Sequence, residues 1–234
     1  MKKLVLFILC ISTGLVFAQS INQMDANGKR HGVWKKNFEK TTILRYEGKF
    51  SHGKEIGTFK FYINIDEKAV LTATKTFNEA NHIVDVKFFS SKGKIISEGQ
   101  MNGKIYFGTW KYYQAKTDQI MTLEHYDDKG LLQNERLVYY EKGQLAEKRL
   151  YKDNVLNGIS EWYSEKGILI REFSYVNGEL HGLSKHYDHD GKLTVEGHYQ
   201  HDRKHGMWKY YTDGKLVKEK DFTRRTKNPY KKKK

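Results

Sequence analysis

Along most of this chain apolar and polar residues alternate in short runs, and each run stops at a cluster containing glycine, asparagine or aspartate. A period of two puts successive side chains on opposite faces of an extended strand, and such clusters form turns, so the pattern predicts strands joined by tight turns. No helical periodicity occurs beyond Leu4 to Val16. The runs also repeat. Asn157-Gly158-Ile159-Ser160-Glu161-Trp162-Tyr163 aligns with His181-Gly182-Leu183-Ser184-Lys185-His186-Tyr187 and with His205-Gly206-Met207-Trp208-Lys209-Tyr210-Tyr211, the glycines standing 24 residues apart. Gly108-Thr109-Trp110-Lys111-Tyr112-Tyr113, Gly57-Thr58-Phe59-Lys60-Phe61-Tyr62 and Gly32-Val33-Trp34-Lys35 fit the same frame. The units around Lys87–Met101 and Leu131–Tyr151 lack the opening glycine, and the frame is missing from Ile63 to Val86. A break or bulge in the sheet is expected there.

Each unit reads as a hairpin. An aromatic-rich run ends at a turn such as Ser164-Glu165-Lys166-Gly167 or Asp188-His189-Asp190-Gly191. A second run then closes on an aromatic, as in Leu169 to Tyr175, Leu193 to Tyr199 and Leu216 to Phe222. Two strands and two tight turns in 24 residues leave no room for a crossover helix, so neighbouring strands must be antiparallel. The predicted fold is all-β: about eight tandem hairpins in one elongated, single-layer twisted sheet over residues 19–222. Counted from the opening glycine, positions +2 and +4 share one face (Trp110 and Tyr112, Phe59 and Phe61, Trp208 and Tyr210), and +1, +3 and +5 share the other. The second strand places Leu169, Leu193 or Leu216 near the +5 tyrosine, and alternation then assigns Glu172, Glu196 and Glu219 to the +2/+4 face.

Glu47-Gly48-Lys49-Phe50 followed by Gly53 and Gly57-Thr58-Phe59, and Glu196-Gly197-His198-Tyr199 followed by Gly206-Met207-Trp208, resemble the MORN repeat, in its bacterial variant form typical of YwqK-family antitoxin-like proteins. The resemblance covers about residues 27–222 and rests on repetition more than on any single copy. It implies a scaffold that binds protein or phospholipid, or that neutralises a toxin.

Composition narrows the setting. Met1-Lys2-Lys3, an apolar stretch to Val16, and Val16-Phe17-Ala18 match a cleavable secretory signal over residues 1–18, with an N-terminal anchor or a lipoprotein signal as poorer fits. Export to the periplasm or outside, in association with the envelope, is therefore expected. The only cysteine, Cys10, lies within that segment, so the remainder has no disulfide, thiol nucleophile or thiolate metal site. Sixteen tyrosines and a single proline agree with an all-β chain. The formal charge of +14 favours anionic partners such as phospholipid headgroups, and export leaves no expectation of nucleic acid.

Catalytic signatures are missing: no G-x-S-x-G, H-E-x-x-H or phosphate-binding glycine loop occurs. Paired carboxylates from Glu172, Glu196 and Glu219 would recur with the repeat, whereas a catalytic pair needs one special place. Asp188-His189-Asp190-Gly191 starts like a calcium loop but lacks the downstream glutamate, so it reads as a turn. Ten histidines invite a metal reading, yet equivalent positions one repeat apart are too far from each other to share an ion. His181 and His198 are the conceivable cross-strand pair. Neither an enzyme, a metal nor a cofactor is expected.

The candidate binding surface is the aromatic rows, Trp34, Phe59, Trp110, Tyr112, Trp162, Trp208 and Tyr210, unless those rings are consumed in packing on one another. The candidate tether to an anionic surface is Arg224, Arg225, Lys227, Lys231, Lys232, Lys233 and Lys234 in a solvated tail over residues 223–234. The leading expectation is a non-enzymatic exported scaffold that binds a protein or an envelope surface. Toxin neutralisation and phospholipid binding are alternatives, and end-to-end self-association is open to such a sheet. Intact mass of the protein from its own host should give a chain starting at Gln19; a chain starting at Met1 would remove the export expectation.

Overall fold

The computed structural model describes residues 20–78 and 80–223. A short β1 (Gln23–Met24) precedes eight hairpins: β2–β3 (Arg30–Asn37, Leu44–Ser51), β4–β5 (Lys54–Ile65, Lys68–Phe77), β6–β7 (Ile83–Phe89, Ile95–Asn102), β8–β9 (Ile105–Tyr113, Ile120–Tyr126), β10–β11 (Asn134–Tyr139, Leu145–Lys152), β12–β13 (Val155–Tyr163, Leu169–Val176), β14–β15 (Glu179–Tyr187, Leu193–Gln200) and β16–β17 (Arg203–Thr212, Lys215–Asp221). Each strand pairs antiparallel with the next, giving one 17-stranded sheet without helices among the described residues. The predicted fold class is the observed one.

Two kinds of bulge recur. Within every hairpin the register slips once, in most of them just before the turn: Trp162 pairs with Arg171, but Tyr163 pairs with Leu169, leaving Ile170 extra. The extra residue resets the alternation. Leu169 therefore joins Tyr163, while Glu172 pairs with Glu161 at +3 on that same face. Glu196 and Glu219 likewise pair with Lys185 and Lys209 at +3. The sequence-based assignment of these glutamates to the +2/+4 face is thus corrected; counting in twos fails across a bulge.

Between hairpins the slip is larger. Glu98 pairs with Lys111 and Gln100 with Phe107, so Gly99 alone faces residues 108–110. Gly108 opens that excursion at φ 63°, a left-handed conformation that side chains resist. The chain then returns with the +2 side chain lying across the strand before it. A Cβ on Gly99 would come within 2.5 Å of the Trp110 ring, one on Gly48 within 2.3 Å of Phe59, and one on Gly197 within 2.2 Å of Trp208. In the middle of the repeat array the sizes reverse: buried Ser160 and Ser184 sit opposite Arg149 and Phe173. Each site holds one large and one small partner. The best-packed stretch joins Val84, Val86 and Trp110 with Phe77, Phe88, Met101 and Tyr106 around them.

The units without an opening glycine solve the problem differently. Val84 stands at that position in β6, and β5–β6 pairs without any bulge. Asn134 stands there in β10 and takes φ 59°, which asparagine tolerates. Of the break or bulge expected between Ile63 and Val86, the described residues show a bulge: β4 and β5 pair at nine positions, and the hairpin slip leaves Thr72 extra. The ladder instead thins between β9 and β10, where only Leu123–Leu137 and Thr122–Val138 pair.

The two edges are treated unequally. Asn22 and Gln23 close the outer edge of β2: Asn22 N–H donates to Val33 O (2.8 Å), Lys35 N–H to Asn22 Oδ1 (2.8 Å) and Trp34 Nε1 to Gln23 O (3.0 Å). At the far end β17 is exposed throughout and carries Lys215, Lys218 and Lys220, charges that discourage strand addition. Because the Trp110 ring lies across Gly99, Gly99→Ala should cost about 1–3 kcal/mol, the usual penalty for overpacking. Urea unfolding followed by tryptophan fluorescence measures it, and an unchanged midpoint would show that the ring can move aside freely.

Candidate binding face

The +2/+4 face carries the candidate aromatic residues, but not all of them are available to a partner. Trp110 and Trp208 are 0% exposed and Phe59 is 2% exposed. Trp110 stacks on Tyr106 at 3.9 Å, Trp208 meets Tyr199 edge-on at 5.2 Å, and Phe59 meets Phe50 and Phe77 at 5.1 and 5.3 Å. Their indole N–H groups are used internally, donating to Gln100 O (2.8 Å) and His198 O (3.2 Å). These three candidates are corrected: their rings hold the sheet together and present no surface. Trp34, Tyr112, Trp162 and Tyr210 are half-buried and keep part of their rings accessible.

A charged seam crosses the face where the ladder thins, and the sequence alone did not reveal it. Arg136 Nε donates to Glu124 Oε1 at 2.9 Å and Arg136 Nη1 to Glu147 Oε1 at 3.3 Å. Arg149 Nη2 donates to Glu147 Oε2 at 2.7 Å, and Trp162 Nε1 donates to the same oxygen at 2.9 Å. Tyr126 Oη closes the network on Glu124 Oε2 at 2.6 Å. Burial, then the neighbouring Glu124, pushes the Tyr112 and Tyr126 hydroxyls well above the usual tyrosine range. The available signal was Arg136, a charge two residues after Asn134 where other units place an aromatic or small residue.

From β12 onward the face becomes cationic. Lys204 Nζ lies 3.8 Å above the Trp208 ring and Lys220 Nζ 4.7 Å above Phe222; the Arg171 guanidinium is 5.6 Å from Trp162, and Lys218 5.8 Å from Tyr210. Cation–ring contacts of this kind contribute roughly 0.5–1 kcal/mol each at exposed sites. No Asp or Glu shares this face in β12 to β17. Burial, then the charges of Arg171 and Lys204, hold His186 below its ordinary value, and burial together with Lys220 lowers Lys204.

The opposite face is balanced. Lys35, Glu47 and Lys60 pair in sequence (3.3 and 3.8 Å), Lys87 meets Glu98 (3.1 Å), Glu172 meets Lys185 (3.6 Å) and Glu196 meets Lys209 (4.0 Å). The +5 tyrosines cap the ladder: Tyr62, Tyr113 and Tyr211 donate to Glu47, Glu98 and Glu196 at 2.8, 2.6 and 2.7 Å. These hydrogen bonds hold Glu47 and Glu98 below the usual glutamate range, while burial and the same bonds push Tyr62 and Tyr113 up to about 12. Lysines separate Glu172, Glu196 and Glu219, so no carboxylate pair forms among them.

Asp188 Oδ1 accepts the backbone N–H groups of Asp190 and Lys192 (2.9 and 2.8 Å), which makes Asp188-His189-Asp190-Gly191 a turn. His198 pairs with Leu183 and His205, and His181 lies against His201 instead. Among the described residues no group of three or more His, Cys, Asp or Glu side chains is arranged to hold a metal ion. The expected signal and the tether Arg224–Lys234 lie outside the described residues.

Fold and face together define a tandem-hairpin repeat protein with one aromatic, partly cationic face and one charge-paired face. The family model for the MORN repeat variant matches residues 132–153, 156–177 and 180–201, each match spanning one hairpin and the turn beyond it. Those three units are similar to that repeat in sequence, and the remaining five hairpins share their hairpin architecture. No curated protein matches the chain.

The seam supplements thin backbone pairing, so Glu147→Ala should loosen it, leaving Arg136 and Arg149 short of a partner and the Trp162 indole N–H unpaired. The expected cost is about 1–3 kcal/mol. Hydrogen exchange should accelerate over residues 134–152 while residues 193–212 keep their protection; a uniform change, or none, would remove the seam's local role.

Proposed function

We propose that this protein is a non-enzymatic, exported binding scaffold that engages an acidic partner at the cell envelope with the β12–β17 part of its aromatic face. The observation that carries the reading is the segregation of charge. On one face lysines and glutamates pair, whereas on the other Arg171, Lys204, Lys218 and Lys220 stand over aromatic rings with no carboxylate among them. An anionic group settling there gains electrostatic attraction and contact with Trp162 and Tyr210 together. In sequence the basic run Arg224–Lys234 begins two residues after Phe222, and it adds positive charge that would favour the same kind of partner. MORN repeats generally serve as protein- or membrane-binding modules, which supports the reading. Neutralisation of a toxin, implied by the antitoxin-like resemblance, would be the same binding with an acidic protein on the face.

Charge reversal tests it. Lys204→Glu combined with Lys220→Glu should weaken retention on anionic phospholipid vesicles by at least about tenfold at low salt, since each basic residue near such a surface contributes about 1 kcal/mol. The effect should shrink at high ionic strength. Lys166→Glu, in an exposed turn away from the face, is the control. Equal loss with the control would reduce the effect to net charge. If vesicles do not bind at all, affinity capture from envelope extracts should retain an acidic protein that the double variant releases; retention of nothing by either route overturns the proposal.

A further inference from the structure

We infer that the turns linking successive hairpins build two equivalent dihistidine sites for a divalent cation of the Zn2+, Cu2+ or Ni2+ class, one from His31 with His52 and the other from His181 with His201. The topology explains why these residues meet. His31 and His181 each precede an opening glycine, and those glycines pair with Phe50 and Tyr199, the aromatics that close the hairpins. His52 and His201 each stand two residues beyond that aromatic, in the link turn, and both take φ 49°. The chain folds back at the same point in both units and lays the second imidazole beside the first.

The geometry suits an ion. The ring centroids are 4.9 Å apart in the first pair and 5.4 Å apart in the second. A metal–nitrogen distance of about 2.0–2.1 Å puts a ring centroid roughly 3.2 Å from the ion, so two imidazoles on one ion stand about 4.5–5.3 Å apart. One ring of each pair is already oriented. His52 Nδ1 is 2.7 Å from Asp25 Oδ2, and His201 Nδ1 is 2.6 Å from Glu179 Oε2. A carboxylate on Nδ1 fixes the tautomer and leaves Nε2 as the ligating atom, the arrangement found behind metal-bound histidines. The two carboxylates come from unrelated places in the unit, Asp25 ahead of β2 and Glu179 at the start of β14, yet serve the same nitrogen.

The same two positions are polar in two neighbouring units and are not both so in the β6–β7 unit, where they are Ile83 and Gly103, or the β8–β9 unit, where they are Phe107 and Asp128. In the β10–β11 unit they are Gln133 and Asp153, hydrogen-bonded at 2.7 Å, and in the β12–β13 unit Asn157 and Asn177. The two positions are thus in contact in the β10–β11 unit as well, and histidine fills both in two units. Two imidazoles with water completing the shell favour borderline cations over Mg2+ or Ca2+. Both rings in the turns are open to solvent, His52 at 67% and His201 at 71% side-chain exposure, so an ion has free access.

The test is Cu2+ stoichiometry on the untagged, full-length mature chain, by equilibrium dialysis, with electron paramagnetic resonance reporting nitrogen ligation. His52→Ala and His201→Ala should each remove one bound Cu2+ per chain, and the double variant two. His31→Gln and His181→Gln should remove the same ions. His189→Ala, in an exposed turn, should remove none. Because the His52 and His201 rings are exposed, circular dichroism of those two alanine variants should stay unchanged. A stoichiometry indifferent to these four histidines, or equally reduced by His189→Ala, overturns the assignment.

Discussion

The structure depends on one kind of contact: the second side chain after an opening glycine meets a partner of complementary size on the preceding strand, a ring over a glycine or a serine under a larger side chain. A single-layer sheet has no second layer to bury its apolar side chains, and an isolated hairpin is marginal at best in water. Here the rings are buried within the layer. The bulge opened by Gly57, Gly108 or Gly206 swings Phe59, Trp110 or Trp208 over Gly48, Gly99 or Gly197, and the closing aromatics of neighbouring strands wall the ring in. Losing such a ring costs about 3–5 kcal/mol elsewhere in proteins, a large share of a marginal stability. That explains why the glycine and the aromatic occur together in the sequence, and why serines replace the rings where Phe173 and Arg149 supply the bulk.

Chemistry follows from this arrangement. Since the buried rings occupy one face, charges on the other are free to pair along the ladder, and each surface pair contributes only about 0–1 kcal/mol. That face is close to neutral over its length. The aromatic face keeps its unpaired cations because ring quadrupoles, not carboxylates, hold them. The seam of Glu124, Arg136, Glu147 and Arg149 is the exception, and it sits where only two residue pairs join successive hairpins.

The link turns form a second functional surface, separate from either face. In three units the residue before the opening position meets the residue two past the closing aromatic: His31 with His52, Gln133 with Asp153 and His181 with His201. A change at these two positions alters local chemistry without touching the buried rings, so one scaffold can carry amide, acidic or imidazole pairs in different units.

Much was determined by the sequence alone. Spacing of Gly158, Gly182 and Gly206, with two turns in every 24 residues, required antiparallel hairpins in chain order, and the number of units was legible as well. Local alternation also placed Trp110 and Tyr112 on one face, because both lie on the same side of any bulge. What only the tertiary structure decided concerns residues whose position depends on a neighbouring strand. Glu172 changed face because a bulge at Ile170 adds a residue that counting cannot see. Trp110 and Trp208 turned from surface to core because burial depends on what lies across the strand, a glycine about ten residues back in the chain. The seam and the histidine pairs were invisible for the same reason: their members belong to different strands and turns, and register, not proximity in sequence, brings them together.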